Sequence, residues 1–298
     1  MKEQFIEKRF GSEARKMIVT INGILGEYVA AGYDLSLRQL YYQLVSRNIV
    51  ENTERSYKNV GNRVSAARMA GLIDWDVIKD RGREMVSNSH WDSPADILHT
   101  AATQFRVDRW DNQPNYIEVM VEKQALEGVL IPVCSEWEVP FTANKGYSSS
   151  SAMYEASKRF LHQAQRDKEL YVLYLGDHDP SGIDMTRDVD DRLDLFLKTP
   201  LGRDGCCEIK RLALNIDQVQ EMKPPKNPAK ITDSRAATYI KRFGRSSWEL
   251  DAIEPRRLDS LVSSAIKSLV DMKLWKQSGK TQQKGRDYIA EMAKNYKS

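Results

Sequence analysis

Residues Leu170–Asp184 read LYVLYLGDHDPSGID. Leu170–Leu175 is an apolar run of Leu, Tyr and Val that stops abruptly at Gly176. This is the pattern of a strand buried on both faces of a parallel sheet. Two carboxylates follow, Asp177 and Asp179, then Pro180 and Gly182. Pro and Gly mark a tight turn, and the next residues repeat at helical spacing. In an open α/β sheet, ligands lie outside the carboxyl ends of the strands, where Asp177 and Asp179 stand. Two close carboxylates repel each other unless a cation lies between them. The alternative is an acidic surface turn.

The same layout occurs upstream. Tyr116–Val121 (YIEVMV) reads as a second buried strand, followed by Glu122, Lys123 and a helical stretch Gln124–Trp137. Two βα units of this kind would gather Glu122, Asp177 and Asp179 on one rim. Such a hard-oxygen set suits Mg²⁺, which takes a few carboxylates and keeps waters for phosphates. Glu122 equally fits an ion pair with Lys123. Val139–Ala143 is expected as a strand, then Lys145-Gly146-Tyr147 and four serines open a helix, Ala152–Ala164. A glycine, free hydroxyls and a helix N-terminus favour anions, with Lys145 beside them; a flexible loop with redundant caps is the other reading. Gly182–Leu197 is an acidic helix, with Asp184 near enough to the rim to assist it indirectly. Glu208–Leu214 is a further strand, Lys223–Lys230 an extended proline-rich loop, and Pro255–Leu274 a closing helix. Pattern alone assigns no role to Glu249 or Asp251.

The N-terminal third is helical by periodicity. Ser12–Ala30 places Ile18, Ile21, Leu25 and Tyr28 on one face, and Gly32 stops it. Ser36 is an N-cap for Leu37–Asn48, in which Leu37, Leu40, Tyr41 and Leu44 share the core stripe. Tyr42 falls on another stripe, with Arg38 and Ser46, so Tyr41 is expected to pack and Tyr42 to be presented beside an arginine. A third helix is expected over Thr53–Ala70, carrying Arg55, Lys58, Arg63 and Arg68. Leu37–Ile73 holds six Arg or Lys against two Glu, a local charge of +4. Three short helices with a basic face fit a helix-turn-helix or winged-helix DNA module, or an ordinary helical bundle. Asp80–Pro114 reads as a connection with some helix at Pro94–Arg106. A boundary near residue 112 gives two domains, 1–112 and 113–298.

The 298 residues are 41% hydrophobic and 29% charged, enough for a sizeable core, and the net charge of +3 shows no global basic bias. Cys134, Cys206 and Cys207 have no metal-ligand spacing, and the four His add no zinc pattern. With no signal peptide and no long apolar run, a cytoplasmic, reducing location and no membrane partner are expected.

Val121-Glu122-Lys123 after one strand and Asp177-His178-Asp179-Pro180-Ser181-Gly182 after another resemble a Toprim domain. More narrowly, Asp-x-Asp-Pro-x-Gly resembles the topoisomerase VI A subunit and Spo11 group. Arg38-Gln39-Leu40-Tyr41-Tyr42 is similar to that group's Arg-x-x-Tyr-Tyr motif, and Lys145-Gly146-Tyr147 lies where the group has a Gly-rich turn. The resemblance implies a winged-helix-like helical domain followed by a parallel-sheet α/β Toprim domain with a C-terminal extension. It implies Mg²⁺ held by Glu122, Asp177 and Asp179, and DNA cleaved by transesterification with Tyr42 as nucleophile and Arg38 assisting. It also implies a homodimer in which tyrosine and metal come from different protomers. Nothing resembles the ATP-binding subunit, so strand passage would need a separate ATPase partner. A hydrolytic Toprim nuclease and a non-catalytic DNA-binding protein with a vestigial metal site are the alternatives.

Overall fold

Four parallel strands carry the fold: β1 (Asn115–Val121), β2 (Phe141–Ala143), β3 (Glu169–Leu175) and β4 (Cys207–Ala213), in the order β2-β1-β3-β4. This computed structural model describes residues 2–33, 35–78 and 88–295. Part of the connection expected after Asp80 therefore lies outside the described residues. The strands form where the sequence has short runs of Val, Leu, Ile, Met and Tyr, and Val121 of β1 lies opposite Leu175 of β3. All four expected strands are present, within about two residues at each end.

Helices cover both faces of the sheet. On one side α5 (Glu127–Glu136) and α10 (Pro255–Leu269) close a core around Val119, Val121, Leu173 and Leu175. On the other, α6 (Ser150–Ala164) and α7 (Pro180–Leu201) pack on Met120, Val172 and Tyr174. The chain leaves β1 towards one edge of the sheet and leaves β3 towards the other. In doubly wound sheets such a switch point opens a crevice at the carboxyl ends of the two strands. Glu122 and Asp177 border that crevice.

The N-terminal third supplies α1 (Ser12–Ala30), α2 (Leu37–Ser46) and α3 (Glu54–Met69) around a core of Ile21, Ile24, Leu40 and Leu44. Ser36 caps α2 as expected: its hydroxyl accepts the Gln39 amide, and the Gln39 side chain accepts the Ser36 amide at 2.8 Å. Among the described residues of this third, the only β contacts are isolated bridges, Gln4–Ala70 and Leu35–Ile78, so no paired-strand wing is seen. The next helix, α4 (Pro94–Gln104), which the sequence reading grouped with these three, lies against the C-terminal helix (Met272–Asn295).

The remaining elements are α8 (Ile216–Met222), β5 (Lys226–Pro228), α9 (Ala236–Phe243), β6 (Ser246–Trp248) and α11 (Met272–Asn295). The expected single helix Pro255–Leu274 is two helices. Asp271 breaks it, because its carboxylate accepts the amides of Lys273 at 2.8 Å and Leu274 at 3.1 Å and so starts α11 afresh. No helix among the described residues is long and apolar enough to cross a membrane.

Leu173 sits fully buried in a central strand. Leu173→Ala should cost on the order of 3 kcal/mol in urea unfolding. A cost under about 1 kcal/mol would contradict a close-packed core at this position.

Candidate functional site

A cleft of about 910 Å³ opens between α2 and the carboxyl rim of the sheet. It is lined by Arg38, Tyr41 and Tyr42 on one side and by Glu122, Lys123, Asp177 and Asp179 on the other, with Asn227 and Glu249 between them. Tyr42 and all three expected carboxylates thus border one cavity within one chain.

Each carboxylate is held by its local backbone. Glu122 follows β1 directly, and its Oε2 accepts the Asp177 amide at 2.9 Å. Asp177 Oδ1 accepts the Leu250 amide at 2.8 Å, and Oδ2 lies 2.7 Å from Lys123 Nζ. Asp179 caps α7: its Oδ1 accepts the Gly182 amide at 2.6 Å and the Ser181 hydroxyl at 3.0 Å. Arg211 lies beneath this turn. Its guanidinium donates to the carbonyls of Gly176, Asp177 and Gly182 at 3.0, 2.6 and 3.1 Å. His178, between the two aspartates, faces away from the cleft. Its Nδ1 lies 2.8 Å from the Tyr239 hydroxyl, and Phe243 and Trp248 stack edge-on against its ring.

Lys123 joins a second set of acids that the sequence reading left without a role. Its ammonium is 3.0 Å from Glu249 Oε2 and 3.6 Å from Asp251 Oδ1. Arg38 pairs with Glu249, and its Nε lies 3.1 Å from Asp251 Oδ2. Lys123 therefore pairs with Asp177, not with Glu122 as its sequence neighbour.

Burial and charge set the protonation tendencies. Burial, with Glu122 and Asp251 nearby, pushes the Asp177 carboxyl up to about 7 despite Lys123. Burial also raises Glu122, and the charge of Asp179 adds to it. Burial likewise raises Asp251. It opposes ionisation at Glu249 too, but Lys123 and Arg38 together hold that carboxyl below its usual range. His178 is driven down to about 4 by burial and by Arg211, so it is neutral at pH 7.

The tyrosine expectation needs correction. Tyr42 does share a stripe with Arg38, whose guanidinium lies 6.0 Å from its ring centroid. It is not presented to solvent: Tyr41 and Tyr42 are each only 4% exposed. The segment carrying Asn227 and Glu249 covers the face that helical geometry leaves open. Burial, then Glu249, raises the Tyr42 phenol to about 12. Tyr41 packs as expected, its hydroxyl donating to the Thr53 carbonyl at 3.0 Å.

The basic residues divide. Arg55 and Lys58 are exposed on α3, Lys58 pairing with Glu54 at 2.7 Å, and Arg63 is half-buried. Arg68 is used by the fold: its guanidinium donates to the carbonyls of Trp75 and Ile78 at 2.8 and 2.6 Å and lies over the Trp75 ring. Lys145 is exposed and lines a smaller recess of about 370 Å³ that it shares with Arg38, Glu122, Lys123 and Asp251. Asp184 serves the loop beside it, accepting Tyr147 Oη and Arg235 Nε, each at 2.6 Å.

Among the described residues, no three His, Cys, Asp or Glu side chains converge as a ready-made metal cluster. Lys123 takes Asp177, and Asp179 turns inward to cap α7. One oxygen each of Glu122 and Asp179 carries no hydrogen bond or ion pair among the described residues. Two open carboxylate oxygens on a polar cleft fit Mg²⁺, which uses one or two carboxylates and completes its shell with water and phosphate. Around them the rim sets five carboxylates (Glu122, Asp177, Asp179, Glu249, Asp251) against three cations (Arg38, Lys123, Arg211).

Comparison with models of known protein families and with curated proteins finds no match.

Gly182 shows how tightly the rim is built. A Cβ there would overlap the Asp177 carbonyl and stand 3.0 Å from Glu122 Oε2, whereas a Cβ at Gly23 of α1 would meet nothing within 4 Å. Gly23→Ala should stabilise by roughly 0.5–1 kcal/mol, as alanine does in helices. Gly182→Ala should instead lower stability by about 1–3 kcal/mol. Thermal unfolding of both variants checks this, and equal gains would mean that the turn is loosely packed.

Proposed function

We propose that this chain is a Mg²⁺-dependent DNA-cleaving enzyme of the Toprim kind, with Tyr42 as nucleophile. The observation that carries this reading is the cleft itself: a tyrosine, an arginine and the strand-end carboxylates line one cavity at the switch point of a parallel sheet. The open oxygens of Glu122 and Asp179 support a divalent cation, and exposed Arg55 and Lys58 on α3, with Lys145 beside the recess, support a phosphate-bearing partner.

In this reading Tyr42 Oη attacks the phosphorus of a backbone phosphodiester. The Oη–P bond forms, the P–O bond to the leaving sugar oxygen breaks, and the phenol proton is lost as the leaving oxygen gains one. Arg38 stands beside Tyr42 to balance phenolate and phosphorane charge. Mg²⁺ held by Glu122 and Asp179 would neutralise charge on the transferring phosphate. Asp177 holds the Leu250 amide behind them, and Lys123 while no ion is bound. Tyr42 and the carboxylates line one cavity of a single chain. We extend the proposal to a homodimer on the family likeness alone, and to a separate ATPase subunit if strands are passed.

One observation favours hydrolysis as a second reading. The phenol is raised to about 12, and Arg38 is engaged by Glu249 and Asp251, so Tyr42 is poorly activated as it stands. Water would then be the nucleophile and Tyr42 a substrate contact.

Tyr42→Phe separates the two. In the transesterification reading this variant keeps DNA affinity but loses all cleavage of supercoiled plasmid and any denaturation-resistant protein–DNA adduct. Cutting at near wild-type rate assigns the chemistry to water. Binding without cutting by the wild-type chain in Mg²⁺ would reduce the protein to a DNA-binding module with a vestigial site.

The basic surface predicts its own signature. Neutralising Arg55, Lys58 and Arg63 together should flatten the dependence of log K on log salt by about 0.9 per lost phosphate contact. Arg68→Ala should lower the unfolding midpoint, since its guanidinium ties together the carbonyls of Trp75 and Ile78. An unchanged salt slope in the triple variant would remove α3 from the DNA interface.

A further inference from the structure

Asp177 has no open oxygen. Its Oδ1 accepts the Leu250 amide at 2.8 Å and its Oδ2 holds Lys123 Nζ at 2.7 Å. The ammonium is also 3.0 Å from Glu249 Oε2 and 3.6 Å from Asp251 Oδ1, and Lys123 lines both the main cleft and the adjoining recess. Asp251 is an unusual partner. Its side chain is fully buried, its oxygens have no hydrogen bond among the described residues, and Arg38 and Lys123 are its ion-pair partners. A buried carboxylate in this state depends on those two cations for its balance.

We propose that Lys123 is a built-in counter-cation, displaced from Asp177 when a divalent ion enters the cleft. The inference rests on the reading that this cleft takes such an ion. An ammonium and a divalent ion within a few ångströms repel strongly in a half-buried site, so an ion held by Glu122 and Asp179, beside Asp177, drives Lys123 off Asp177 Oδ2. Without the ion, Lys123 neutralises the rim. With it, the ammonium retains Glu249 and Asp251 and turns to the cavity, where an anionic phosphate would meet it. Lys123 thereby has a task that the carboxylates lack: it tunes affinity for the ion and supplies a positive charge only once the ion is bound.

The test uses the full chain with Mg²⁺ or Mn²⁺ alone and no nucleic acid. An amine-acylating reagent is followed residue by residue by mass spectrometry. Lys123 is expected to react slowly in chelator and about tenfold faster in saturating Mg²⁺, while exposed Lys58 changes little. Mn²⁺ affinity is measured in parallel by paramagnetic resonance. Lys123→Gln is expected to bind Mn²⁺ about tenfold more tightly than wild type, because a like charge has gone. If wild type binds Mn²⁺ but Lys123 reactivity is unchanged, the counter-cation role is overturned while the metal site stands. The same holds if Lys123→Gln binds no more tightly. If neither protein binds Mn²⁺, the role and the metal reading fall together. Should Lys123→Gln not fold, the labelling of the wild-type chain decides alone.

Discussion

Five carboxylates cannot share one rim without cations among them, and this requirement organises the molecule. The cations come from three separate elements. Lys123 follows β1, Arg211 rises from β4, and Arg38 projects from α2. Removing one partner from a buried ion pair typically costs about 3–5 kcal/mol, because the other charge is left stranded. The rim is therefore complete only when sheet, C-terminal segment and N-terminal helices are all in place. Arg211 acts differently from the other two. It grips backbone carbonyls of the Gly176–Gly182 turn, fixing the shape of the turn as well as its potential.

One short segment ties these parts together. Trp248 exchanges both backbone hydrogen bonds with His178, holding the residue between the two aspartates. Glu249 takes Arg38 and Lys123, the Leu250 amide caps Asp177, and Asp251 balances both cations. Ala252 then enters the core of the N-terminal helices, while Ile253 enters the core of the sheet. The stretch 248–253 is thus a clasp. It converts two packed units into a cleft with charged walls. His178 stays neutral inside its aromatic surroundings and contributes position, not charge.

Much of this was legible in the sequence, and what was not has a physical cause. The four strands were readable because each is a short apolar run with an abrupt end. The placement of Glu122, Asp177 and Asp179 at the rim followed, since strand ends in a parallel sheet share one edge. The cap at Ser36 was readable from residue type and spacing. Glu249 and Asp251 were not, because their role arises from contacts with residues more than a hundred positions away. Tyr42 shows the limit of helical geometry, which gives the direction of a side chain but not what covers it. Arg68 looks like its basic neighbours in sequence, yet it turns back onto two carbonyls. The break at Asp271 did carry a signal. An Asp directly before a helical stretch is an N-cap, and the apolar periodicity on either side of it hid the interruption.

The cleft is also the junction between the two halves of the chain, and its chemistry follows from that. Across it the contacts of α2 and its following loop are polar: Arg38 to Glu249 and Asp251, and Asn52 Nδ2 to Asn227 Oδ1 at 2.7 Å. Intrachain interfaces of this polar character resemble transient interfaces more than cores. An apolar junction would have excluded water and left no cavity for a ligand. A fully solvated one would have removed the burial that raises Asp177 and Tyr42. The polar, half-enclosed junction does neither. It keeps opposing charges a few ångströms apart, leaves one side open, and holds them against an apolar anchor at Ala252 and Ile253. That combination concentrates negative potential at the carboxyl ends of β1 and β3, while Arg38 and Lys123 stay within reach of whatever anion the cavity admits.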